Sequence, residues 1–255
     1  MTKRYLQSLA AATRKLTELA EKHQQQIFEN AQLNYQIRQA EAQRVEELAG
    51  FAHELKKPLT VIRSLLYRCS KKASQELILQ TAEEIDNEIT RAVRMLDNIL
   101  TLARLELIET SKFESVSLSE IAQAAFDQQQ TNFPQHTWKA SITPNLRLVA
   151  NAEAIFAICE NLLENAGKHS SATSKIILTV KKNPKFATLV VKDTGVGIPK
   201  SIQKNITQPF FHRSAASGFG LGLAVVTRAV SKLGGELRFT SKPKQGSTFT
   251  VKLPR

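Results

Sequence analysis

Apolar positions spaced three and four residues apart run through the first 108 residues and predict amphipathic helices. This stretch has one proline, Pro58, and one glycine, Gly50, amid many Ala, Leu, Glu, Gln, Lys and Arg residues, a composition that favours long helices. A polar segment, residues 70–75, interrupts the apolar pattern and predicts a turn. We therefore expect a helix on each side of this turn, and the two helices to form a hairpin.

The second helix of this hairpin carries a broad apolar stripe. A lone hairpin leaves much of such a stripe in water, whereas pairing two hairpins into a four-helix bundle buries it. We therefore expect a homodimer. The stripe comprises Leu77, Ile78, Ala82, Ile85, Ile89, Ala92, Val93, Leu96, Ile99, Leu100 and Ala103.

A seven-residue repeat marks residues 6–48. One seam line runs from Leu6 through Ile27 to Leu48, and the seam becomes mixed in polarity after an apolar start. Polar seam residues weaken a coiled coil while fixing its register. The pattern predicts that residues 1–44 form an N-terminal signalling helix of the coiled-coil type; the plainer alternative is a partly frayed leader.

Beyond residue 110, short apolar runs alternate with helical patterns, and most of the glycines and prolines occur there. This alternation of short apolar runs and helical patterns predicts a second domain, residues 111–255, in which a helix layer packs on a mixed sheet. The expected fold class is multidomain α and α+β, a helical hairpin forming a dimeric four-helix bundle followed by an α/β sandwich. The predicted strands are Ala140–Ile142, Arg147–Leu148, Lys175–Lys181, Ala187–Lys192, Gly235–Thr240 and Thr248–Leu253, and the predicted helices are Ser119–Asn132, Ala152–Ala166 and Leu221–Leu233.

The composition is that of a globular chain, because 42 % of its 255 residues are hydrophobic. No apolar run reaches the roughly 18 to 20 residues that span a bilayer. We expect no membrane span and a cytoplasmic location, either of the protein itself or as the cytoplasmic portion of a longer, membrane-anchored protein. Cys69 and Cys159 lie in apolar helical contexts without a metal-type spacing, so we expect both to be reduced packing residues.

Positive charge is concentrated in the second half of the chain. Residues 1–110 carry 16 basic and 15 acidic side chains, and residues 111–255 carry 19 basic and 8 acidic ones. A basic surface attracts nucleic acids, acidic proteins or polyphosphate ligands. The lysines are scattered through strands and loops without interleaved aromatic residues, so we expect no nucleic-acid partner.

A histidine and a carboxylate stand side by side in the segment His53-Glu54-Leu-Lys-Lys57-Pro58. The proline one turn later loosens the helix at this point. A neutral imidazole can attack phosphorus through one ring nitrogen while a neighbouring carboxylate takes the proton from the other. Taken alone, such a pair is more often two exposed surface residues without a catalytic role.

A second polar group lies near the end of a predicted helix, where Asn161, Asn165, Lys168 and His169 fall close to one face. An amide oxygen can ligate Mg²⁺ and a lysine can neutralise phosphate oxygens. An imidazole near the helix end can lie against a nucleobase or ribose. The alternative is a solvated helix terminus.

Two glycine-containing segments add further candidate ligand-binding residues. Asp193-Thr-Gly195-Val-Gly197 follows a strand, and its carboxylate could accept a hydrogen bond from an adenine amino group. The segment Gly218-Phe-Gly220-Leu221-Gly222 opens a helix whose free amides can meet phosphate groups. Neither the dinucleotide fingerprint nor a P-loop occurs, so a nucleotide site of another type is indicated.

The stretch between these segments, residues 202–217, is long enough to be a mobile lid over a ligand. Arg213 could clamp phosphates there. Phe210 fits a lid and a core anchor equally well.

The order of these groups, a histidine box, an asparagine box and two glycine boxes flanking an aromatic segment, closely resembles the sensor histidine kinases of two-component systems. The resemblance covers about residues 45–254. It implies that residues 45–110 form the dimerisation and histidine-phosphotransfer domain and that residues 111–255 form the ATP-binding domain shared with type II topoisomerases. It also implies ATP and Mg²⁺ as cofactors, and a response-regulator receiver domain as the partner whose aspartate takes the phosphoryl group from His53.

The resemblance also implies roles for individual residues. His53 matches the phosphoacceptor, Glu54 its acid/base neighbour, Asn165 the magnesium ligand, and Asp193 the carboxylate that reads adenine. Thr248 resembles the closing threonine near the adenine. The remaining nucleotide-contacting positions are matched by Asn161, Lys168, His169, Gly195, Gly197, Gly220 and Gly222.

Three residues depart from the family pattern. Lys57 stands where the family usually has Thr or Asn, a polar group that orients water for dephosphorylating the partner, so we expect weak or absent phosphatase activity. Thr207 stands where a phenylalanine is usual, which predicts looser lid closure. His169 replaces a tyrosine or phenylalanine, which preserves stacking with less apolar area.

Two other functions fit parts of the pattern. An ATP-driven conformational machine related to topoisomerases or chaperones would use the same pocket, although the histidine box argues against it. A catalytically inactive scaffold would dimerise and bind a receiver domain without phosphorylating it. The sequence leaves open whether phosphate passes within one chain or across the dimer.

Overall fold

The computed structural model of the chain describes residues 2–69, 74–171, 174–211 and 219–255. The chain divides into two compact units, residues 1–53 and residues 54–255. The first unit is helical throughout its described residues and forms the beginning of helix α1, Thr2–Cys69. Its apolar side chains Phe28, Ile37 and Leu48 are exposed. The predicted helix is confirmed, and the coiled-coil seam stays a prediction.

The second unit begins with the remainder of α1, which continues as helix through Pro58. Helix α2, Gln75–Glu106, follows. The Ser74 hydroxyl caps α2 by accepting a hydrogen bond from the Leu77 amide at 3.3 Å, which satisfies one of the free donors of the first turn. Most of the predicted turn, residues 70–73, lies outside the described residues. The two predicted helices are confirmed.

An α/β layer occupies the rest of the second unit. A short 3₁₀ turn, Thr110–Lys112, leads into it. Every predicted strand and helix of this region is present, with ends shifted by a few residues. The elements are β1 Glu114–Ser117, α3 Leu118–Asn132, β2 Thr137–Ile142, β3 Arg147–Ala150, α4 Ala152–Lys168, β4 Lys175–Lys182, β5 Phe186–Asp193, α5 Gly222–Lys232, β6 Glu236–Lys242 and β7 Gly246–Pro254.

The main sheet is mixed, with the strand order β2-β4-β5-β7-β6. Strands β2 and β4 run parallel, and the other neighbours are antiparallel. A separate antiparallel pair joins β1 and β3. Strand β1 was not predicted, because Val116 is its only apolar residue and a four-residue strand with one apolar position shows no alternation.

The core lies between the sheet and the helix layer. Along β5 the residues Ala187, Leu189 and Val191 are buried, and the residues between them are more exposed, as expected for a strand with one covered face. Helix α4 packs against α3 and α5 and buries ten of its 17 residues. The predicted helix layer on a mixed sheet is confirmed.

Cys159 is fully buried in α4, and burial raises the pKa of its thiol to about 12. Such a thiol stays protonated at neutral pH and packs as a small apolar residue. Both cysteines are free, as the sequence predicted. Among the helices of the described ranges, none combines the length and hydropathy that crossing a membrane requires.

Candidate active site

A cleft of about 910 Å³ opens in the second unit. Its walls are the C-terminal end of α4, the loop after β5, the start of α5 and one face of α2. Most of the site residues predicted from sequence meet here, although they are far apart along the chain. Those that line the cleft are Asn161, Asn165, Lys168, His169, Asp193, Gly197, Gly220, Leu221 and Gly222.

Helix α4 positions the asparagine box. Asn161 is buried, and its side-chain nitrogen donates to the Ala157 carbonyl oxygen at 2.9 Å. A Cβ atom placed on Gly222 would lie 2.9 Å from Asn161 Oδ1 and 3.5 Å from Asn165 Nδ2. The second glycine box therefore packs directly against both asparagines, and a side chain at Gly222 would crowd them.

Lys168 and His169 lie at the end of α4. The Lys168 ammonium forms an ion pair with Glu164 at 2.8 Å. The His169 amide donates to the Asn165 carbonyl oxygen at 3.0 Å, and the His169 carbonyl oxygen accepts from the Val196 amide at 3.2 Å. These bonds join the helix end to the first glycine box.

Asp193 is the buried carboxylate of the cleft. Its Oδ1 accepts hydrogen bonds from the Gly195 amide at 2.8 Å and the Ser247 amide at 3.2 Å. Burial raises the pKa of Asp193 above its ordinary value, although these backbone donors and the nearby His169 act in the opposite direction. Both of these amide donors engage Oδ1, so Oδ2 is the oxygen of this carboxylate that a donor on a ligand could reach.

Ser247, which sequence reasoning missed, is the hydroxyl residue at this carboxylate. It is buried, lines the cleft and donates its amide to Asp193. Thr248 pairs with Lys192 and is absent from the described cleft lining. Successive residues of β7 point to opposite faces of the sheet, so Ser247 is the hydroxyl residue of this segment that faces the cleft, and the role of Thr248 stays a prediction.

Backbone geometry requires glycine at two cleft positions. Gly197 has φ +65° and a Cβ atom there would lie 2.0 Å from the Lys242 carbonyl oxygen. Gly220 has φ +67° and a Cβ atom there would lie 2.3 Å from the Phe211 carbonyl oxygen. Gly195 lies behind the cleft surface and acts through its amide on Asp193.

Apolar side chains form a further wall of the cleft, partly from the predicted lid and partly from residues that the sequence did not assign to the site. Its members are ordinary core residues by sequence pattern, and only the fold brings them to one cleft. The predicted lid contributes Ile202, Ile206 and Phe211, and Phe211 also packs against the core. Arg213 and Gly218, two predicted nucleotide contacts, lie outside the described residues. The apolar wall comprises Ile198, Ile202, Ile206, Phe211 and Phe249.

The wall opposite the asparagine box comes from helix α2 and was not predicted. Six polar residues spaced along one face of α2 line the cleft. The Arg91 guanidinium stands over the Phe219 ring, 5.1 Å from its centroid, and Phe219 directly precedes Gly220. The six residues, called the α2 polar stripe below, are Asn87, Thr90, Arg91, Arg94, Asp97 and Asn98.

Two cations of α5 hold the C-terminal end of α2. Glu106, its last residue, forms ion pairs with Arg228 and with Lys232, the latter at 3.4 Å. The Lys232 ammonium also donates to the Glu106 carbonyl oxygen at 3.0 Å. Arg91 contacts Phe219, just before α5, and Glu106 contacts two cations near the end of α5. Helices α2 and α5 therefore run side by side in the same direction.

The histidine box lies on α1. His53 is exposed. Glu54 has a side chain only 12 % exposed and forms an ion pair with Lys57, one turn further along the helix. Lys57, which departs from the expected pattern, therefore contacts the carboxylate that the sequence assigns to proton transfer.

Two protein-family models match the chain. Residues 43–108 match the His Kinase A (phospho-acceptor) domain. Residues 150–255 match the histidine kinase-, DNA gyrase B- and HSP90-like ATPase. The first match contains the histidine box, and the second contains the asparagine box and both glycine boxes.

A curated relative matches over most of this chain. The signal transduction histidine-protein kinase AtoS of Escherichia coli strain K12 is 31 % identical over 227 residues, which cover 86 % of this chain and 37 % of AtoS. The chain spans between 37 % and 48 % of the length of the first three curated relatives.

Solved structures share the fold. The histidine kinase AdeS of Acinetobacter baumannii superimposes with a TM-score of 0.63 at 20 % identity, covering 79 % of this chain and 97 % of AdeS. The histidine kinase ThkA, solved in complex with the response regulator protein TrrA, gives 0.60 at 22 % identity, covering 82 % of this chain and 61 % of that one.

The two matched domains occur in the predicted order, the phosphoacceptor domain before the ATPase domain. The helical hairpin and the α/β layer have the architecture that the resemblance implied, and the solved structures share this fold. The chain therefore belongs to the sensor histidine kinases and carries the core of one.

Proposed function

We propose that the chain uses ATP to phosphorylate its own His53 and then transfers the phosphoryl group to an aspartate of a response-regulator receiver domain. One observation carries the proposal. The asparagine box, Asp193 and the second glycine box line one cleft, in a chain whose phosphoacceptor match contains His53 and Glu54.

The cleft suits the parts of an adenine nucleotide. The Asp193 carboxylate can accept a hydrogen bond from the adenine amino group, and the apolar wall can cover the ring. The triphosphate would then extend toward Gly220, Gly222 and the N-terminal end of α5, where unpaired backbone amides and the helix dipole favour anions. Lys168 would add a cation at that end, in exchange for part of its pairing with Glu164.

The donor set suits Mg²⁺ held jointly by protein and phosphate. No cluster of three or more His, Cys, Asp or Glu residues able to hold a metal occurs among the described residues. Mg²⁺ commonly takes one or two protein oxygens together with substrate phosphates, and the Asn165 amide oxygen is the proposed protein ligand. When bound, the ion would neutralise charge on the phosphate oxygens.

At His53, a ring nitrogen would form a bond to the γ-phosphorus while the bond to the β–γ bridging oxygen breaks and ADP leaves. Glu54 would take the proton from the other ring nitrogen. Burial of the Glu54 side chain and its ion pair with Lys57 fix the carboxylate in place. We infer that Lys57 positions Glu54 for this step.

The partners follow from the same family. The structure of ThkA in complex with the response regulator TrrA supports a receiver domain as phosphoryl acceptor. Exposed apolar residues on α2 support a homodimer that pairs two hairpins. We keep the division into residues 1–44, 45–110 and 111–255 as a proposal, and with it a cytoplasmic reaction, since ATP is the phosphoryl donor.

The test is incubation of the chain with radiolabelled ATP and Mg²⁺. We expect label that is lost in acid and stable in alkali, the behaviour of phosphohistidine. His53→Gln should abolish it and leave nucleotide affinity within about twofold, while His23→Gln on the same helix should keep it. Label that persists in His53→Gln would refute the site, and ATP hydrolysis without any labelled protein would favour an ATP-driven machine.

Lys57 gives the proposal a second test. A lysine engaged by Glu54 offers no hydroxyl or amide to orient water, so we expect slow dephosphorylation of the phosphorylated partner. Lys57→Thr should accelerate that reaction about tenfold or more, as expected for supplying a positioned polar group. Rapid dephosphorylation by the unchanged chain, with no gain in Lys57→Thr, would contradict this.

A further inference from the structure

We propose that Arg91 and Arg94 of the α2 polar stripe bind the triphosphate of ATP, so that the nucleotide cleft is completed by the phosphoacceptor hairpin. The inference rests on the proposed function, because it concerns the same ATP site. It adds two cations from a helix outside the matched ATPase domain, residues 150–255.

The charge of the cleft is the first argument. Among the described lining residues, three are cations and four are carboxylates. Lys168, the single cation from the α/β layer, is already paired with Glu164. Without the two arginines, the described lining residues would carry one cation and four carboxylates, a balance that disfavours a polyanionic ligand. The cations are Arg91, Arg94 and Lys168, and the carboxylates are Asp97, Glu160, Glu164 and Asp193.

The carboxylates already repel each other. The pKa of Glu160 is raised, first by burial and then by the nearby charges of Glu164 and Asp97, although a hydrogen bond from Gln128 acts in the opposite direction. Added negative charge from phosphate groups would increase this repulsion unless cations lie close by. Besides Lys168, Arg91 and Arg94 are the cations that line the described part of the cleft.

The position of the arginines is the second argument. Arg91 stacks on Phe219, the residue before Gly220, and therefore lies at the glycine end of the cleft, where the phosphates are expected. Arg94 follows one helical turn later on the same face of α2.

Two contacts fix α2 in this arrangement. Arg91 is oriented by the Phe219 ring and by Glu88, whose carboxylate lies 3.5 Å away. The ion pairs of Glu106 with Arg228 and Lys232 hold the far end of α2 on α5. A guanidinium held in this way can donate several hydrogen bonds to phosphate oxygens with little loss of side-chain freedom.

The experiment measures ATP and ADP affinity of the full chain by calorimetry, with Mg²⁺ present. Arg94→Gln should weaken ATP binding about tenfold, the loss expected for one charge-assisted contact, and should change ADP binding much less. Arg91→Gln should act in the same direction. Arg94→Lys should restore part of the ATP affinity, because the charge is kept.

Arg104→Gln is the matched control, since Arg104 is an exposed arginine of α2 that does not line the cleft. It should leave both affinities unchanged. Equal losses for ATP and ADP, no loss, or tighter ATP binding in Arg94→Gln would overturn the inference. If the unchanged, folded chain binds neither nucleotide, the proposed function fails instead.

Discussion

Helices α2 and α4 both carry apolar residues at helical spacing, but these residues are largely buried in α4 and largely exposed in α2. Helix α4 buries ten of its 17 residues, whereas α2 buries only Thr81, Met95 and Leu105 of its 32. Ile89, Leu96 and Leu100 of α2 remain 47 %, 45 % and 52 % exposed. The apolar face of α4 is buried within the chain, whereas that of α2 is largely exposed, as the proposed homodimer would explain.

The largest effect should come from placing charge on the exposed stripe. Leu96→Asp combined with Leu100→Asp should convert a dimer into a monomer at micromolar concentration, because two buried carboxylates would oppose hairpin pairing. Light scattering after size exclusion would measure the mass. Gln80→Asp, an exposed polar position of α2, is the control and should remain dimeric. A dimeric double variant would refute this role for the stripe.

A core substitution in α4 should act without any dependence on concentration. Leu162 is fully buried, so Leu162→Ala should lower the free energy of unfolding by about 2–5 kcal/mol. Urea denaturation at two protein concentrations would measure it. Leu96→Ala, in contrast, should lose stability mainly at low concentration. If both variants lost the same free energy of unfolding at both protein concentrations, α2 and α4 would not differ in their dependence on a partner.

Acid should weaken the nucleotide site. The pKa of Asp193 is raised in the folded chain, so folding favours the protonated carboxyl group. The contribution of this shift to the free energy of unfolding is therefore present at low pH and is lost as the pH rises through the folded pKa. A nucleotide amino group needs the ionised acceptor. ATP affinity should therefore fall by up to about tenfold per pH unit, starting above the ordinary titration range of Asp.

Calorimetry in two buffers should also show proton release when ATP binds near that pKa. Asp193→Asn should bind ATP more weakly at neutral pH and should flatten the pH dependence. An affinity in the unchanged chain that stays constant down to pH 4 would argue against this carboxylate as the adenine acceptor.

The smallest effects should come from the helix caps. Ser74→Ala and Asn151→Ala each remove a side chain that accepts from the first turn, at 3.3 Å in α2 and 2.9 Å in α4. Each should cost about 1 kcal/mol. Hydrogen exchange should locate the first loss in the hairpin and the second in the α/β layer. A loss spread evenly over both regions would contradict their independence.

The sequence predicted what depends on local periodicity and on residue type. Helix ends, strand alternation and the residues of the asparagine and glycine boxes follow from such signals. Ser247 was missed because neighbouring strand residues point to opposite faces, so an error of one position exchanges the cleft for the far side of the sheet.

The α2 polar stripe was missed for a different reason. Residues 87 to 98 repeat at helical spacing, and that repeat was available in the sequence. Which protein surface a polar helix face meets depends on long-range packing, here on the contacts of Arg91 with Phe219 and of Glu106 with α5. No local pattern encodes those contacts.

Helix α2 carries both its apolar stripe and its arginines, so a rotation of α2 would move both sets of side chains together. Each residue advances a helix by about 100°, so turning α2 by one residue would remove Arg94 from the cleft and bring Val93 or Met95 toward it. The same turn would shift Leu96 and Leu100 within a dimer. A rotation of α2 would therefore displace both its apolar stripe and its arginines, while the hydrogen bonds within the helix stay the same.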